Sequence, residues 1–319
     1  MTASDKRRKI LSIVEWISLV VVIIILSLCY YLIQPVSTSR VVYMPAGSVA
    51  SIISYLDRNG MDMNALDRYI LRLYGYPQKG WIDIGATKLA KGDLFYKLTH
   101  AKAAMTKVTL IPGETREIFF DELSKSLGLD KRRLDEAYNN YSPYPDGVIF
   151  PETYYIPLGI SENHLVYYLV KKSLARHEEL AKKFFGIYNR KKWFRYVTIA
   201  SIIQKEAADE KEMPLISSVI YNRLKRRMPL QMDGALNYGP YSHKKVTKAR
   251  ILKDTTRFNT YKYGGLPPYP VGSVSLAALK ASVKPAKTEY LYFVKGKNGK
   301  HIFTKSYKSH LRAIKSGKK

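Results

Sequence analysis

The stretch YVTIASIIQKEAADEKEMPLISSVIYNRL, residues 196–224, holds two helical periods joined by an acidic turn. Ile199, Ile202 and Ile203 stand seven, four and three positions before Glu206, so on a helix all four share one face. Glu206 is thereby aimed along an apolar stripe, toward a core or the rim of a pocket, while Gln204 and Lys205 point away from it. Asp209, Glu210 and Glu212 form a polar run expected to be a solvated turn. Met213-Pro214 opens the second helix, with proline in the first turn, where its missing N–H costs little. Leu215, Ile216, Val219, Ile220 and Leu224 form its buried stripe, with Asn222 and Arg223 beside it. The following Leu230-Gln231-Met232-Asp233-Gly234 brings an amide and a carboxylate from a loop.

A carboxyl group held against apolar neighbours has its charged form disfavoured, so its pKa rises. A protonated acid near neutral pH is what glycosidic bond cleavage requires. The same spacing also suits a helix-end glutamate paired with one of the many lysines or arginines, and both readings stand at this point. Asn222, Gln231 and Asp233 are of the type that binds sugar hydroxyls and N-acetyl groups, and equally of the type that caps helices and turns.

The composition narrows what this acid can serve. The 319 residues carry 53 Lys+Arg against 26 Asp+Glu, a formal charge of +27, which calls for an anionic partner: nucleic acid, lipid head groups or an acidic polymer. A hydrophobic fraction of 46% excludes wholesale disorder. The single cysteine, Cys29, excludes an intramolecular disulfide and a cysteine-based zinc cluster.

At the amino terminus Lys6-Arg7-Arg8-Lys9 precedes WISLVVVIIILSLCYYLI, residues 16–33, an uncharged run just long enough to cross a bilayer. The positive-inside rule places residues 1–15 in the cytoplasm. No A-x-A pattern follows the run, and Leu28 rather than a small residue precedes Cys29, so an uncleaved anchor is expected rather than a secretory or lipoprotein signal. The chain from Gln34 onward then lies outside the cytoplasm. No DNA-reading motif is present, and nucleic acid is not expected as a partner.

Beyond the anchor, residues 41–107 read as a small α+β module. Val41 to Met44 is a strand, Ser48 caps a helix through Ile52, Ile53 and Leu56, Leu66 to Leu73 is helical and Trp81 to Ile84 a strand. The same grammar returns at Val108 to Ile111, with Pro112-Gly113 as turn and Thr115 capping a helix through Ile118, Phe119 and Leu123. Helical patterns then dominate at 130–138, 162–185 and 191–207. Tyr290 to Val294 and His301 to Phe303 form a hairpin around Gly296 to Gly299, and Ser316 to Lys319 reads as a frayed basic tail. The fold class is α+β: one transmembrane helix, a small α+β module and a larger mixed α/β domain over 108–319. His243, His301 and His310 lack metal-ligand spacing and read as surface or packing residues; neither metal nor cofactor is expected.

Several ordered motifs resemble the endolytic murein transglycosylase family, the YceG-like or MltG-type proteins. The family's A-S-I-[IV]-[EQ]-K-E is matched by Ala200 to Glu206, its [FIY]-N-R-L by Tyr221 to Leu224, and its L-Q-[ST]-D by Leu230 to Asp233 with Tyr238-Gly239 beyond. Phe150-Pro151-Glu152-Thr153-Tyr154, Phe258-Asn259-Thr260-Tyr261, Gly265 to Val271, Tyr292-Phe293-Val294 and Gly299 to Phe303 match further motifs, in order. The resemblance implies that residues 41–107 are a LysM-like module and 108–319 the catalytic domain of a single-pass inner-membrane protein with a periplasmic active site. It implies non-hydrolytic cleavage of MurNAc–GlcNAc bonds within glycan strands, leaving 1,6-anhydro-MurNAc ends and terminating strand elongation. Glu206 falls on the catalytic acid; Asn222, Gln231, Asp233, Tyr238, Asn259 and Tyr261 become candidate substrate-binding residues. Peptidoglycan glycan strands and the inner membrane are the implied partners, with synthases and division machinery as candidates. Departures are Gly234-Ala235 for the family's P-T, Gly272 to Ser275 for its A-N-P-G, and Met232 for a small hydroxyl residue.

One carboxyl group suffices for this chemistry, because the attacking C6 hydroxyl is internal to the substrate and already at high effective concentration. Two rivals remain: a muramidase pairing Glu206 with Asp233, since a hydrolase normally needs two carboxylates, and a non-catalytic peptidoglycan-binding or septal scaffold. The tail from Lys284 to Lys319, with eleven Lys+Arg and one acid, Glu289, is expected to touch head groups, lipid-linked glycan or stem carboxylates.

Overall fold

A computed structural model describes residues 3–318, which mix helix and strand. The chain forms two compact units: one runs to Thr106 and takes back Pro157–Gly159, and the other holds Lys107–Ile156 and the chain from Ile160.

The first unit begins with α1 (Ala3–Ile33), whose apolar stretch Leu11–Ile33 is long enough to cross a membrane and whose side chains from Leu11 to Tyr30 pack against nothing. The 18-residue run at 16–33 is thus the end of a longer helix. Met1, Thr2 and the side chains of Lys6 to Lys9 lie outside the described residues. After α1 come β1 (Pro35–Ser37), β2 (Val41–Met44), α2 (Val49–Arg58), α3 (Asp67–Tyr74), β3 (Gly80–Asp83), β4 (Lys88–Ala90) and α4 (Lys91–His100). β1 pairs antiparallel with β4, and β2 with β3 in the register Val42↔Ile82. Strand alternation turns Val42, Met44 and Ile82 inward, onto Ile52, Leu56 and Phe95 of the helices. The Ser48 side chain accepts the Ser51 N–H at 3.2 Å, the cap expected for α2.

The last turn of α1 joins this core through Tyr31 and Leu32. There the Tyr31 hydroxyl donates to Asp67 Oδ1 at 2.7 Å and accepts from Lys91 Nζ at 2.9 Å, and Lys91 Nζ reaches Asp67 Oδ2 at 3.3 Å. Asp67 and Lys91 are both buried, so each charge depends on the other. Removing one partner of such a pair costs roughly 3–5 kcal/mol. Asp67→Ala is expected to lower the opening free energy of the first unit by that order, read by hydrogen exchange of Leu94 and Leu98. Unchanged exchange there would show that the pair is dispensable.

The second unit holds β5 (Met105–Thr109) from Lys107 on, α5 (Arg116–Leu127), α6 (Lys131–Tyr141), β6 (Thr153–Pro157) up to Ile156, α7 (Glu162–Phe185), α8 (Arg190–Glu206), α9 (Met213–Lys225), α10 (Asp233–Leu236), α11 (Lys248–Lys253), α12 (Leu276–Val283), β7 (Tyr292–Lys295), β8 (His301–Thr304) and α13 (Tyr307–Lys318). β5 pairs with β6, and β7 with β8 in the register Phe293↔Phe303. The core gathers on α8, where every side chain from Val197 to Ile203 is buried. The isoleucine spacing predicts one apolar stripe there. Instead α9, α10 and α12 all pack against α8, so small residues such as Ala200 and Ser201 are buried as fully as the isoleucines.

Three local expectations are corrected. Thr115 occupies the N-cap position of α5 without capping it; its hydroxyl donates to Gly239 O at 2.9 Å, and the buried Asp146 carboxylate accepts the Arg116 N–H instead. Glu212 is buried rather than solvated, because the β7–β8 hairpin folds onto it. The chain end is not a frayed tail through residue 318: Ser316 to Lys318 complete α13, which packs on β7 and β8, while Lys319 lies outside the described residues.

Candidate active site

Glu206 is the last residue of α8, and its carboxylate Oε1 accepts the Gly234 N–H at 2.6 Å. Gly234 is the second residue of α10, where a free N–H points away from the short helix. Burial pushes the Glu206 carboxyl up to about 7; the Gly234 N–H works against that rise and the nearby Asp233 charge adds to it. An acid so placed populates both protonation states near neutral pH, which suits a group that must first give and then take a proton.

Glu206 opens onto a cleft of about 370 Å³ that also receives Gln231, Asp233 and Tyr261. Asp233 is exposed and accepts the Tyr261 hydroxyl at 2.8 Å. Gln231 has a positive φ of 48°, a conformation uncommon outside glycine and concentrated at binding sites. Its N–H donates to Thr260 O at 3.1 Å, which fixes the loop carrying it to the segment carrying Tyr261. Tyr292 and Phe293 of β7 and His310 of α13 also line the cleft. The His310 ring stacks on Tyr292 at 5.2 Å. A more apolar cavity of about 350 Å³ beside Trp193 and Tyr221 is lined by no carboxylate and offers no acid.

The other residues singled out from sequence do not join this cleft. Asn222 donates its amide to Thr288 O and Tyr290 O, both at 2.9 Å, and so holds the approach to β7. Asn259 is fully buried and donates to Ile251 O and Asp254 O at 2.7 and 2.9 Å. Tyr238 stacks on Phe258 at 4.2 Å, donates to Asp254 Oδ2 at 3.2 Å and lines a neighbouring cavity with Asp146. These are framework contacts, made by the same residue types that would bind sugar.

Two features of the site escaped the sequence. Arg223, seen there only as lying beside a stripe, is buried and lines the cleft, donating Nε to Leu291 O at 2.6 Å and Nη1 to Leu230 O at 2.7 Å. Glu212 takes the His301 N–H on Oε1 at 2.7 Å and meets His301 Nδ1 through Oε2 at 2.6 Å, tying the hairpin to the turn just after Glu206. Those partners lie 89 residues apart, beyond any local pattern. His301 thus packs, as its place in the hairpin suggested, and His243 pairs with Glu114 at 2.7 Å. Among the described residues no three His, Cys, Asp or Glu side chains converge as a metal site.

The departures from the family pattern fall at close approaches. A Cβ on Gly234 would lie 2.9 Å from both Glu206 Oε1 and Lys205 Cβ, closer than side chains tolerate. A Cβ on Gly272 would lie 2.8 Å from Gly113 O, where Ser273 exchanges backbone bonds with Gly113 and Glu114. Met232 is buried in the core, its N–H donating to the Thr260 hydroxyl at 3.0 Å.

The raised Glu206 carboxyl has a consequence for stability. Its folded midpoint of about 7 lies above the ordinary 4.5, so the folded state holds the proton more tightly. Stability is therefore lost as pH climbs from about 4.5 to 7, and stays lost above. Glu206→Gln removes that loss. The variant is expected to be more stable than wild type at pH 8, by on the order of 1–3 kcal/mol, and equal to it at pH 4, measured by urea unfolding. Equal stability at both pH values would refute a strained acid.

An endolytic murein transglycosylase of Bacillus subtilis is 31% identical over 203 residues, covering 62% of this chain and 54% of that protein. A protein of the same name from Streptococcus pneumoniae serotype 2 is 32% identical over 177 residues, covering 53% of this chain and 31% of its own length. The chain thus spans about half of the first relative and less of the second. A crystal structure of a YceG-like protein from Listeria monocytogenes shares the fold, with a TM-score of 0.56 at 24% identity over 86% of this chain and 99% of that one. The model of the YceG-like family matches residues 42–316, nearly everything beyond the apolar helix, and the chain belongs to that family.

Proposed function

We propose that this chain is a membrane-anchored endolytic peptidoglycan lytic transglycosylase with Glu206 as its single general acid/base. The observation that carries the reading is the half-buried Glu206 carboxyl, raised to about 7 and opening onto a cleft with Gln231, Asp233 and Tyr261. Two curated relatives named endolytic murein transglycosylase support the reaction and substrate class. In the proposed reaction protonated Glu206 gives its proton to the glycosidic oxygen as the C1–O bond to the leaving GlcNAc breaks. The carboxylate then takes the proton of the MurNAc C6 hydroxyl as that oxygen closes on C1, leaving a 1,6-anhydro end and consuming no water. Gln231, Asp233 and Tyr261 bind the sugar; Asn222, Asn259 and Tyr238 hold the walls. In the strand, this cut ends elongation.

In this reading α1 is a single-pass anchor with its N-terminus in the cytoplasm, residues 41–107 are a LysM-like module, and 108–319 form the catalytic domain in the periplasm. The basic tail then meets stem carboxylates or lipid-linked glycan, beside synthases and division machinery. A second reading, hydrolysis by Glu206 and Asp233, draws on the presence of both carboxylates in one cleft.

Digestion of purified murein by the detergent-solubilised chain tests both. Lytic cleavage gives MurNAc ends lighter by one water than hydrolysis does, visible by mass spectrometry. Glu206→Gln is expected to lose about 10²-fold or more of the activity, and Asp233→Asn to keep the anhydro product. Activity should fall as pH rises past about 7, where Glu206 no longer starts protonated. Reducing ends lost in Asp233→Asn would establish the hydrolase, and ends unaffected by Glu206→Gln would leave only a scaffold.

A further inference from the structure

Helix α3 presents three faces. Asp67, Ile70 and Leu71 are buried in the first unit. On a second face, Leu66, Tyr69 and Leu73 follow the helical spacing of three and four residues and are 50%, 54% and 83% exposed; Tyr76, beyond the break in the helix at Gly75, is 78% exposed as well. Arg68 and Arg72 lie along the far margin of this apolar stripe.

What covers that stripe follows from where α3 is tied. At its start, Asp67 accepts the Tyr31 hydroxyl at 2.7 Å, and the Asn64 amide donates to the same oxygen at 2.7 Å. At its other end the Tyr74 hydroxyl lies beside Gly92, whose Cβ would stand 3.3 Å from that oxygen and 3.6 Å from Leu32. Both ends of α3 are thereby held close to Tyr31 and Leu32, in the final turn of α1, and the apolar stretch of α1 stops at Ile33. A helix bonded at its start to the close of an apolar span, with the tyrosine hydroxyl of its last residue near the same turn, lies at the depth of the lipid head groups. Leucine and tyrosine beside arginine is the composition of that zone, where aromatic rings sit among the head groups and cations meet anionic lipid.

We infer that the Leu66–Tyr69–Leu73 face of α3 is immersed in the head-group region of the bilayer that α1 enters, so that the first unit grips the membrane at two places. This rests on the reading of α1 as a membrane anchor. A loosely tethered module would turn freely about the anchor; α3 and the Tyr31 network remove that freedom.

The test uses the full chain with Cys29→Ser, carrying an environment-sensitive fluorophore at Leu73→Cys or, as control, at Lys102→Cys beyond the far end of α4. Each protein is reconstituted into vesicles of three parts phosphatidylethanolamine to one part phosphatidylglycerol, with and without doxyl-labelled lipid. The label at 73 is expected to emit to the blue and to be quenched by doxyl lipid at least about twofold more than the label at 102. Resistance to alkaline carbonate extraction reports the anchor separately. A water-like, unquenched label at 73 in protein that resists extraction overturns the inference while leaving the anchor standing. A blue shift without lipid quenching assigns the face to a protein partner and also overturns it. Release of the protein by carbonate removes the anchor reading, and the inference with it.

Discussion

The guanidinium of Arg223 is the fixed point of the cleft. It leaves α9 and donates to Leu291 O at the start of the hairpin and to Pro229 O and Leu230 O before the Gln231 loop, with the Tyr292 ring over it at 5.2 Å. One buried side chain therefore sets the spacing of three walls. The buried carbonyls of Leu291 and Leu230 would otherwise lose that donor, at about 1–3 kcal/mol apiece. A lysine could not replace it, because the planar fork reaches carbonyls on two separate segments at once. Positions of Gln231 and Tyr292 relative to Glu206 follow from this clamp and from the Glu212–His301 bond beside it.

Within those walls the acid is balanced by two opposed effects. Burial favours the neutral form of Glu206, and the Gly234 N–H favours the carboxylate. If burial acted alone, the group would stay protonated and give up its proton reluctantly; a stronger donor set would leave it ionised, with no proton to give. Glycine at 234 permits the compromise, since any side chain there would press on Glu206 and Lys205, and proline would also remove the N–H.

Helical periodicity made α7, α8 and α9 legible, and strand alternation with a glycine turn did so for the β7–β8 hairpin. Glu206 was legible as an acid on an apolar face because three isoleucines at fixed offsets say so directly. The division of the polar residues was not. Asn222 and Asn259 look like sugar ligands in sequence, yet their amides go to backbone carbonyls at segments such as 288–290 and 251–254. A side-chain amide has the same donors and acceptor for either task, and only the tertiary fold assigns it. Glu212 was misread for the same reason: an acidic run reads as solvated until a histidine from a distant hairpin is brought to it. The exposed stripe of α3 hid differently, since helical spacing records an apolar face without saying whether protein covers it.

The end of α8 shows how three consecutive residues come to serve three purposes. Successive side chains on a helix diverge by about 100°. Gln204 accordingly turns to α12, where its Oε1 accepts the Ser275 N–H at 3.2 Å. Lys205 turns to a polar region in which its ammonium donates to the Ser242 hydroxyl at 2.9 Å; burial pushes its pKa down, and the charges of Glu114 and Asp146 oppose that shift. Glu206 alone turns to the cleft. A carboxylate at 204 would still accept from Ser275, so an acid there could serve the helix cap without taking part in chemistry. With glutamine at 204 the cap is neutral, and the charge that titrates near 7 at this helix end belongs to Glu206. The separation depends on α8 staying helical to its last residue, which the Glu212–His301 bond secures by fixing the turn that follows.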